Sequence, residues 1–521
     1  MIEKLSKYKI EIFGLIAILL LASFFYFYHI AQKGIFTYDE GNNFLMANTY
    51  ASAAKTVMNY ILHGGNLQDL ALQYLPGAIF FTTTAKPLFI ILGALGIITF
   101  GYHDFSIFII NGIIGLGAII ALYYLARLIT KNSFQALMAA FFLAISGYQV
   151  FYARAAFSSV VTGLLLVLGS FFYVKTLSQD NNFSVQIERR NLLLAGGFWG
   201  LMFLSHYNAI LILFFVLFFE IVFTLFFNKQ RHCVLIRRLA YILIPFVGIL
   251  LGAQILFIAR NYLLAKTNYP RQIPSYFEEI SEQYKIVLPT QISGKWWQGT
   301  KPDSFFYLKL LNDLNGSPYI FLFLISPLVF FYKKWYRNPP LIFIFFITAG
   351  IFLSSSLFVA KVTRQLIALN GFISLVAALS FWEILQLVKK RGYKILGYLL
   401  LLLLLIFQFQ KDWQIINLRS TYHEAADFLN SLNVTTENIY SQAWPILSFY
   451  LNKKVQIITQ NPKTIYFVSD WQAADCPYRR GKLIASFDNP IGIFPAVLGE
   501  AGFDIQEPEP GKINIYKFQQ Y

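Results

Sequence analysis

The chain has 521 residues, of which 57% are hydrophobic and 13% charged, and it carries a formal net charge of +16. A soluble domain of that composition would expose apolar patches large enough to drive aggregation, so a polytopic membrane protein is expected. The basic excess is not a nucleic-acid signal here: the lysines and arginines gather in short loops between apolar stretches, where they report topology.

In chain order, apolar spans are predicted at 10–30, 105–129, 134–152, 157–174, 192–207, 209–227, 239–258, 318–332, 340–358, 366–388 and 395–409. Residues 88–100 are apolar but short for a crossing, and read as a helix that lies in the interface or re-enters it. Leaving that segment out puts five basic clusters on the cytoplasmic side: Arg127/Lys131, Lys175/Arg189/Arg190, Lys229/Arg231/Arg237/Arg238, Lys333/Lys334/Arg337 and Lys389/Lys390/Arg391/Lys394. The fold class is therefore a polytopic α-helical membrane bundle of about eleven spans over 1–409, with external loops at 31–104 and 259–317. The tail, 410–521, changes character. Residues 421–429 show helical spacing, 438–440, 463–468 and 513–516 read as strands, and 445–451 as a helix. A small extracytoplasmic α/β domain is expected there.

Candidate chemistry gathers on the external side. Asp39 and Glu40 follow the first span directly, in Phe36-Thr37-Tyr38-Asp39-Glu40-Gly41. Taken alone they are a solvated helix cap. The same face, however, collects Lys86, Arg154, Lys361 and Arg364. Carboxylates opposite several cations suit a site for a phosphorylated lipid, with the cations on the phosphate and an acid as general base. Lys86 precedes Pro87 at the start of the interfacial helix, and Arg154 lies between two spans with almost no loop to solvate it. Lys361 and Arg364 sit where the positive-inside rule disfavours cations. His206-Tyr207-Asn208 reads as a tight external turn, and Trp296-Trp297 as an interfacial anchor. The six histidines lack zinc spacing, and no phosphate-cradling glycine loop or dinucleotide fingerprint is present. No cofactor is read from the sequence, and a divalent metal is neither called for nor excluded.

The ordered set of Tyr38-Asp39-Glu40, Lys86-Pro87-Leu88, Phe100-Gly101, Leu125-Ala126-Arg127, Arg154 and Lys361-x-x-Arg364 resembles the GT-C glycosyltransferases. The branch it is most similar to is that of the protein O-mannosyltransferases and the ArnT-like aminoarabinose transferases. The resemblance spans about 10–390 and implies transfer of a sugar from a polyprenyl-phosphate carrier to an acceptor outside the cytoplasm. It implies Asp39 as the catalytic acid, Glu40 as its neighbour, and Lys86 and Arg154 as donor-phosphate ligands. Gln298 follows the double tryptophan, so the Trp-Trp-Asp signature of oligosaccharyltransferases is absent. The expected partners are a lipid-linked donor, an extracytoplasmic acceptor and the bilayer, with no nucleic acid. The alternative is a lipid or solute transporter without glycosyl transfer. It would explain many spans, but inverted repeats are not evident and the charges gather at one face.

Overall fold

Hydrophobic spans set the helices, and polar caps, prolines and glycines set where they end. The computed structural model describes residues 2–64, 86–177, 185–227, 232–265, 274–293, 303–359, 363–390, 394–435, 438–441, 443–452, 455, 464–469, 481–490 and 511–519. Helix α1 (Ile2–Phe27) buries Ala22, Phe25 and Tyr26, while Phe13, Ile16, Leu20 and Phe24 face outward, as lipid contact requires. Helix α2 (Tyr38–Leu62) starts at a capping box, in which the Thr37 hydroxyl accepts the Glu40 N–H and the Glu40 carboxylate accepts the Thr37 N–H. Helix α3 (Pro87–Phe100) has proline in its first turn, where the missing N–H costs nothing, and ends at Gly101, whose φ of +87° suits glycine. At 14 residues it is shorter than the helices long enough to cross a membrane, as the sequence reading of 88–100 expects.

Helix α4 (Phe105–Thr130) is followed by a broken span, α5 (Ser133–Ala144) and α6 (Gly147–Ala153), bent by 58°. The sequence reads 134–152 as one span; the structure divides it at Ile145-Ser146. Asn315, from far along the chain, makes the break possible. Its Oδ1 accepts the Tyr148 N–H at 2.9 Å and the Ser146 hydroxyl at 3.0 Å, so the bend leaves those donors paired. Gly147 is required, since a Cβ there would lie 2.1 Å from the Leu314 carbonyl oxygen.

Helices α7 (Ser159–Leu177), α8 (Val185–Ser205), α9 (Ala209–Val222), α10 (His232–Ala265), α11 (Tyr276–Ser293), α12 (Phe306–Asn315), α13 (Ser317–Tyr332) and α14 (Pro339–Leu357) continue the bundle. A 3-10 turn (Thr363–Leu369) then leads into α15 (Asn370–Lys390) and α16 (Lys394–Ile416). Among the described residues eight helices are long and apolar enough to cross a membrane, nine with the bent pair. The two further predicted spans are α13, only 16 residues long, and α8, whose first turns carry Glu188, Arg189 and Arg190.

In the tail, α17 (Tyr422–Ser431) and α18 (Trp444–Leu451) accompany a sheet of order β1-β2-β4-β3. Its strands are β1 (Ile439–Ser441), β2 (Thr464–Ser469), β3 (Lys482–Asp488) and β4 (Lys512–Gln519). The β1–β2 pair is parallel, with Ile439 opposite Tyr466, and the other pairs are antiparallel. The tail is seated on the Asp39 end of the bundle. The Ser420 N–H donates to the Lys33 carbonyl at 2.7 Å, and the Ile35 N–H to the Tyr450 hydroxyl at 3.0 Å. Gly41 of α2 meets α18 backbone to backbone: a Cβ there would lie 2.7 Å from the Ile446 nitrogen. At the opposite ends of the helices, Glu11 pairs with Arg127 at 3.7 Å and Glu383 with Lys333 at 2.5 Å.

Candidate active site

The site is built around the first turn of α2. Asp39 and Glu40 are adjacent, so their side chains leave the helix about 100° apart and meet different surroundings. Glu40 points inward and is 1% exposed. Its Oε2 accepts the N–H groups of Phe36 at 3.0 Å and Thr37 at 3.2 Å. Its Oε1 accepts Lys33 Nζ at 3.2 Å and the Ala156 N–H at 3.1 Å. Lys33 is itself buried over the rings of Phe108 at 4.1 Å and Phe36 at 5.0 Å. Every face of the Glu40 carboxylate is occupied, so Glu40 organises the loop and has no edge left for a reacting group. The sequence sets both acids at the candidate catalytic position; the structure separates them, Glu40 turned into the loop and Asp39 outward.

Asp39 faces outward and meets Arg364, with Oδ2 at 2.6 Å from Nη2. Its side chain keeps 36% of its surface exposed, against 20% for Arg364. Withdrawal from water pushes the Asp39 carboxyl up, but the Arg364 and Lys86 charges and the Arg364 hydrogen bond outweigh it. The group therefore sits below the usual carboxylate range and is ionised at neutral pH. Lys86, at the N-terminus of α3, is thereby brought to the same locus as Arg364 of the 3-10 turn. Asp39, Lys86 and Arg364 come from three segments far apart in the chain, and the fold collects them.

The turn after α6 supports this arrangement. The Asn43 amide donates to the Ala156 carbonyl at 2.8 Å, and the Asn111 amide to the carbonyls of Ala155 and Phe157. The turn thus fixed places the Phe157 ring 5.2 Å beneath the Arg364 guanidinium. Beside Arg364, Gln365 accepts the Tyr307 hydroxyl at 3.1 Å.

Arg154 does not join the cluster, although sequence reasoning placed it on the phosphate. It is 1% exposed. Its Nη1 donates to the carbonyls of Phe25 at 3.0 Å, Tyr26 at 3.3 Å and Tyr28 at 2.7 Å, and its Nη2 to that of Ile416 at 3.1 Å. The Phe25, Tyr26 and Ile416 carbonyls are among the last of α1 and α16, which lack intrahelical partners and carry the negative end of the helix dipole, and that of Tyr28 follows directly on α1. Arg154 bridges the ends of two helices, and the structure does not bring it to Asp39 and Arg364, where the sequence groups it. Lys361 and the Trp296-Trp297 pair lie outside the described residues.

A cavity opens beside Arg364. Its lining includes the polar residues Ser159, Thr162, His206, Asn208 and Gln365 and the apolar Leu211, Ile212 and Ile351. His206-Tyr207-Asn208 is the turn that the sequence predicts, between α8 and α9, but its histidine also reaches the site. Burial, then the charges of Lys86 and Arg364, hold the His206 ring well below the ordinary histidine range. Sequence reasoning missed Lys33, Asn43, Asn111 and Phe157 as supports; only their polar or aromatic character beside a span marked them. Among the described residues no three His, Cys, Asp or Glu side chains gather as a metal site.

Residues 85–257 match the family model of the dolichyl-phosphate-mannose-protein mannosyltransferases. No curated protein sequence matches the chain. Among solved structures, ArnT from Cupriavidus metallidurans in its apo state superimposes with a TM-score of 0.58 at 12% identity, over 96% of this chain and 97% of that one. The same enzyme bound to undecaprenyl phosphate gives a TM-score of 0.55 at 12% identity, with the same coverage. The Archaeoglobus fulgidus oligosaccharyltransferase tethered to an acceptor peptide gives a TM-score of 0.59 at 12% identity, over 89% of this chain and 69% of that one. The chain therefore shares the fold of ArnT and of the archaeal oligosaccharyltransferase, and its residues 85–257 match the mannosyltransferase family model.

Proposed function

We propose that the protein is an inverting glycosyltransferase that takes a sugar from a polyprenyl-phosphate carrier and passes it to an extracytoplasmic lipid, glycan or protein, with Asp39 as general base. The observation that carries this reading is the convergence of the Asp39 carboxylate with the cations Arg364 and Lys86 at the end of the bundle covered by the tail. The undecaprenyl phosphate held by the solved ArnT structure supports the same class of carrier.

The chemistry follows from the charges. Asp39 takes the proton of the acceptor O–H or N–H, and the acceptor atom bonds to the anomeric carbon. The bond from that carbon to the phosphate oxygen breaks, its electron pair leaving with the polyprenyl phosphate. The phosphate goes from a singly charged diester to a doubly charged monoester. Arg364 and Lys86 stabilise the added charge, so no strong general acid is needed at the leaving oxygen. In-line attack inverts the anomeric centre. Phosphate binding also draws the two cations away from Asp39, which raises the proton affinity of the carboxylate when the acceptor must be deprotonated. Lys361, placed by the sequence on the same face, is proposed as a further phosphate ligand. The membrane topology proposed with this reading puts the site and the tail, from about residue 410, on the outer face of the cell membrane.

The test uses the purified full-length protein in lipid nanodiscs with a panel of polyprenyl-phosphate sugars. Release of polyprenyl phosphate together with a glycosylated product supports the reading. Movement of intact donor across vesicles without bond cleavage would identify a transporter instead.

A further inference from the structure

His206 is a buried titratable group, 8% exposed, to which the mechanism above gives no role. Its position is closely held. The His206 N–H donates to the Met202 carbonyl at 3.1 Å, the Ala209 N–H to the His206 carbonyl at 3.0 Å, and the Tyr284 hydroxyl to the Tyr207 carbonyl at 2.6 Å. The ring therefore stays where the α8–α9 turn puts it, on the wall of the cavity shared with Arg364.

Its tautomer is set as well. The Asn208 N–H donates to His206 Nδ1 at 3.2 Å, so Nδ1 is an acceptor and the ring proton is on Nε2. Among the described residues no side chain or carbonyl accepts from Nε2, and that N–H is what the ring offers the cavity. A protonated ring would lose the Asn208 bond and add a third cation next to Lys86 and Arg364. Burial and those two charges keep it neutral. A neutral donor beside two cations adds direction to anion binding without adding like-charge repulsion. The lining of the same cavity also includes Leu211, Ile212 and Ile351, apolar side chains that suit an anion attached to a hydrocarbon.

We propose that His206 is a third ligand of the donor phosphate, giving the Nε2 hydrogen to a phosphate oxygen of a polyprenyl phosphate alongside Arg364 and Lys86. This inference rests on the reading of the site as one for a lipid-linked phosphate.

Two substitutions separate the two nitrogens. In His206→Asn the amide oxygen can replace Nδ1 as the turn acceptor, but the reach of Nε2 is lost. In His206→Gln an amide N–H comes close to the Nε2 position. Binding of undecaprenyl phosphate and of undecaprenol, which lacks the phosphate, is measured on the full-length protein in nanodiscs, with Tm recorded on the same preparations. The expected result is an about ten- to hundredfold weaker undecaprenyl phosphate affinity for His206→Asn. His206→Gln should stay close to wild type, and undecaprenol binding should be equal in all three. Wild-type undecaprenyl phosphate affinity in His206→Asn would overturn the proposal. So would a loss shared equally by undecaprenol. A wild-type protein that binds undecaprenyl phosphate no better than undecaprenol would refute the phosphate reading itself, whatever His206 does.

Discussion

Replacing Glu40 by glutamine tests the division of labour between the two adjacent acids. The change keeps size and shape and removes the charge. In the structure one carboxylate oxygen accepts from the pair Lys33 Nζ and Ala156 N–H, and the other from the pair Phe36 and Thr37 N–H, with the Thr37 hydroxyl adding a third, longer bond at 3.4 Å. An amide has one oxygen, so its NH2 must face one of these donor pairs. Lys33 is left as a buried cation against Phe108 with its counter-charge gone. Breaking a buried ion pair from one side typically destabilises by about 3–5 kcal/mol. For a chain of this length that corresponds to a Tm lower by roughly 3–5 °C. The assay is thermal unfolding of the detergent-purified protein, followed by tryptophan fluorescence. The double variant Glu40→Gln/Lys33→Met removes both charges and should recover most of the loss. Kinetics on the folded fraction should show kcat within a few-fold of wild type. An unchanged Tm together with a hundredfold lower kcat would refute this reasoning and return Glu40 to the chemistry.

Two further outcomes follow from the geometry. Arg154→Ala should destabilise by upwards of about 3 kcal/mol, since it leaves helix-end carbonyls of α1 and α16 unpaired. Arg154→Lys should recover part of that, and donor KM should be unchanged in both; a donor KM defect at normal Tm would return Arg154 to the phosphate. Arg364→Gln should move the acid limb of the kcat/KM–pH profile to higher pH. The sign follows from Asp39 lying below its ordinary value because of Arg364 and Lys86, so that removing one cation raises it. A limb that stays in place would detach Asp39 from the profile.

How much of this was legible in the sequence depends on how local each signal is. Hydropathy places most spans within a few residues, because burial in lipid is read from each segment alone. The bend between α5 and α6 was not legible: 134–152 carries no proline or charge, and its donors are paired by Asn315, more than 160 residues away. Arg154 was rightly marked as a cation that needs partners. Those partners are backbone carbonyls 129 and 262 residues distant, and a sequence does not display carbonyls as ligands. Asp39, Lys86 and Arg364 were legible as a set because each adjoins the end of an apolar segment on one face. The split between Asp39 and Glu40 was not, since it depends on Lys33 and on the turn at Ala156. Strand β3 was missed because it lies at an edge of the sheet and buries little, so no alternating pattern marks it.

The central claim is that Asp39 removes the acceptor proton, and Asp39→Asn tests it most directly. The amide keeps the side-chain shape and can still accept one hydrogen bond from Arg364, so the variant should fold and retain undecaprenyl phosphate binding. Turnover of the lipid-linked donor by the purified protein should fall by roughly 100- to 10,000-fold. Near wild-type turnover in Asp39→Asn, at equal donor affinity and equal Tm, would contradict the account.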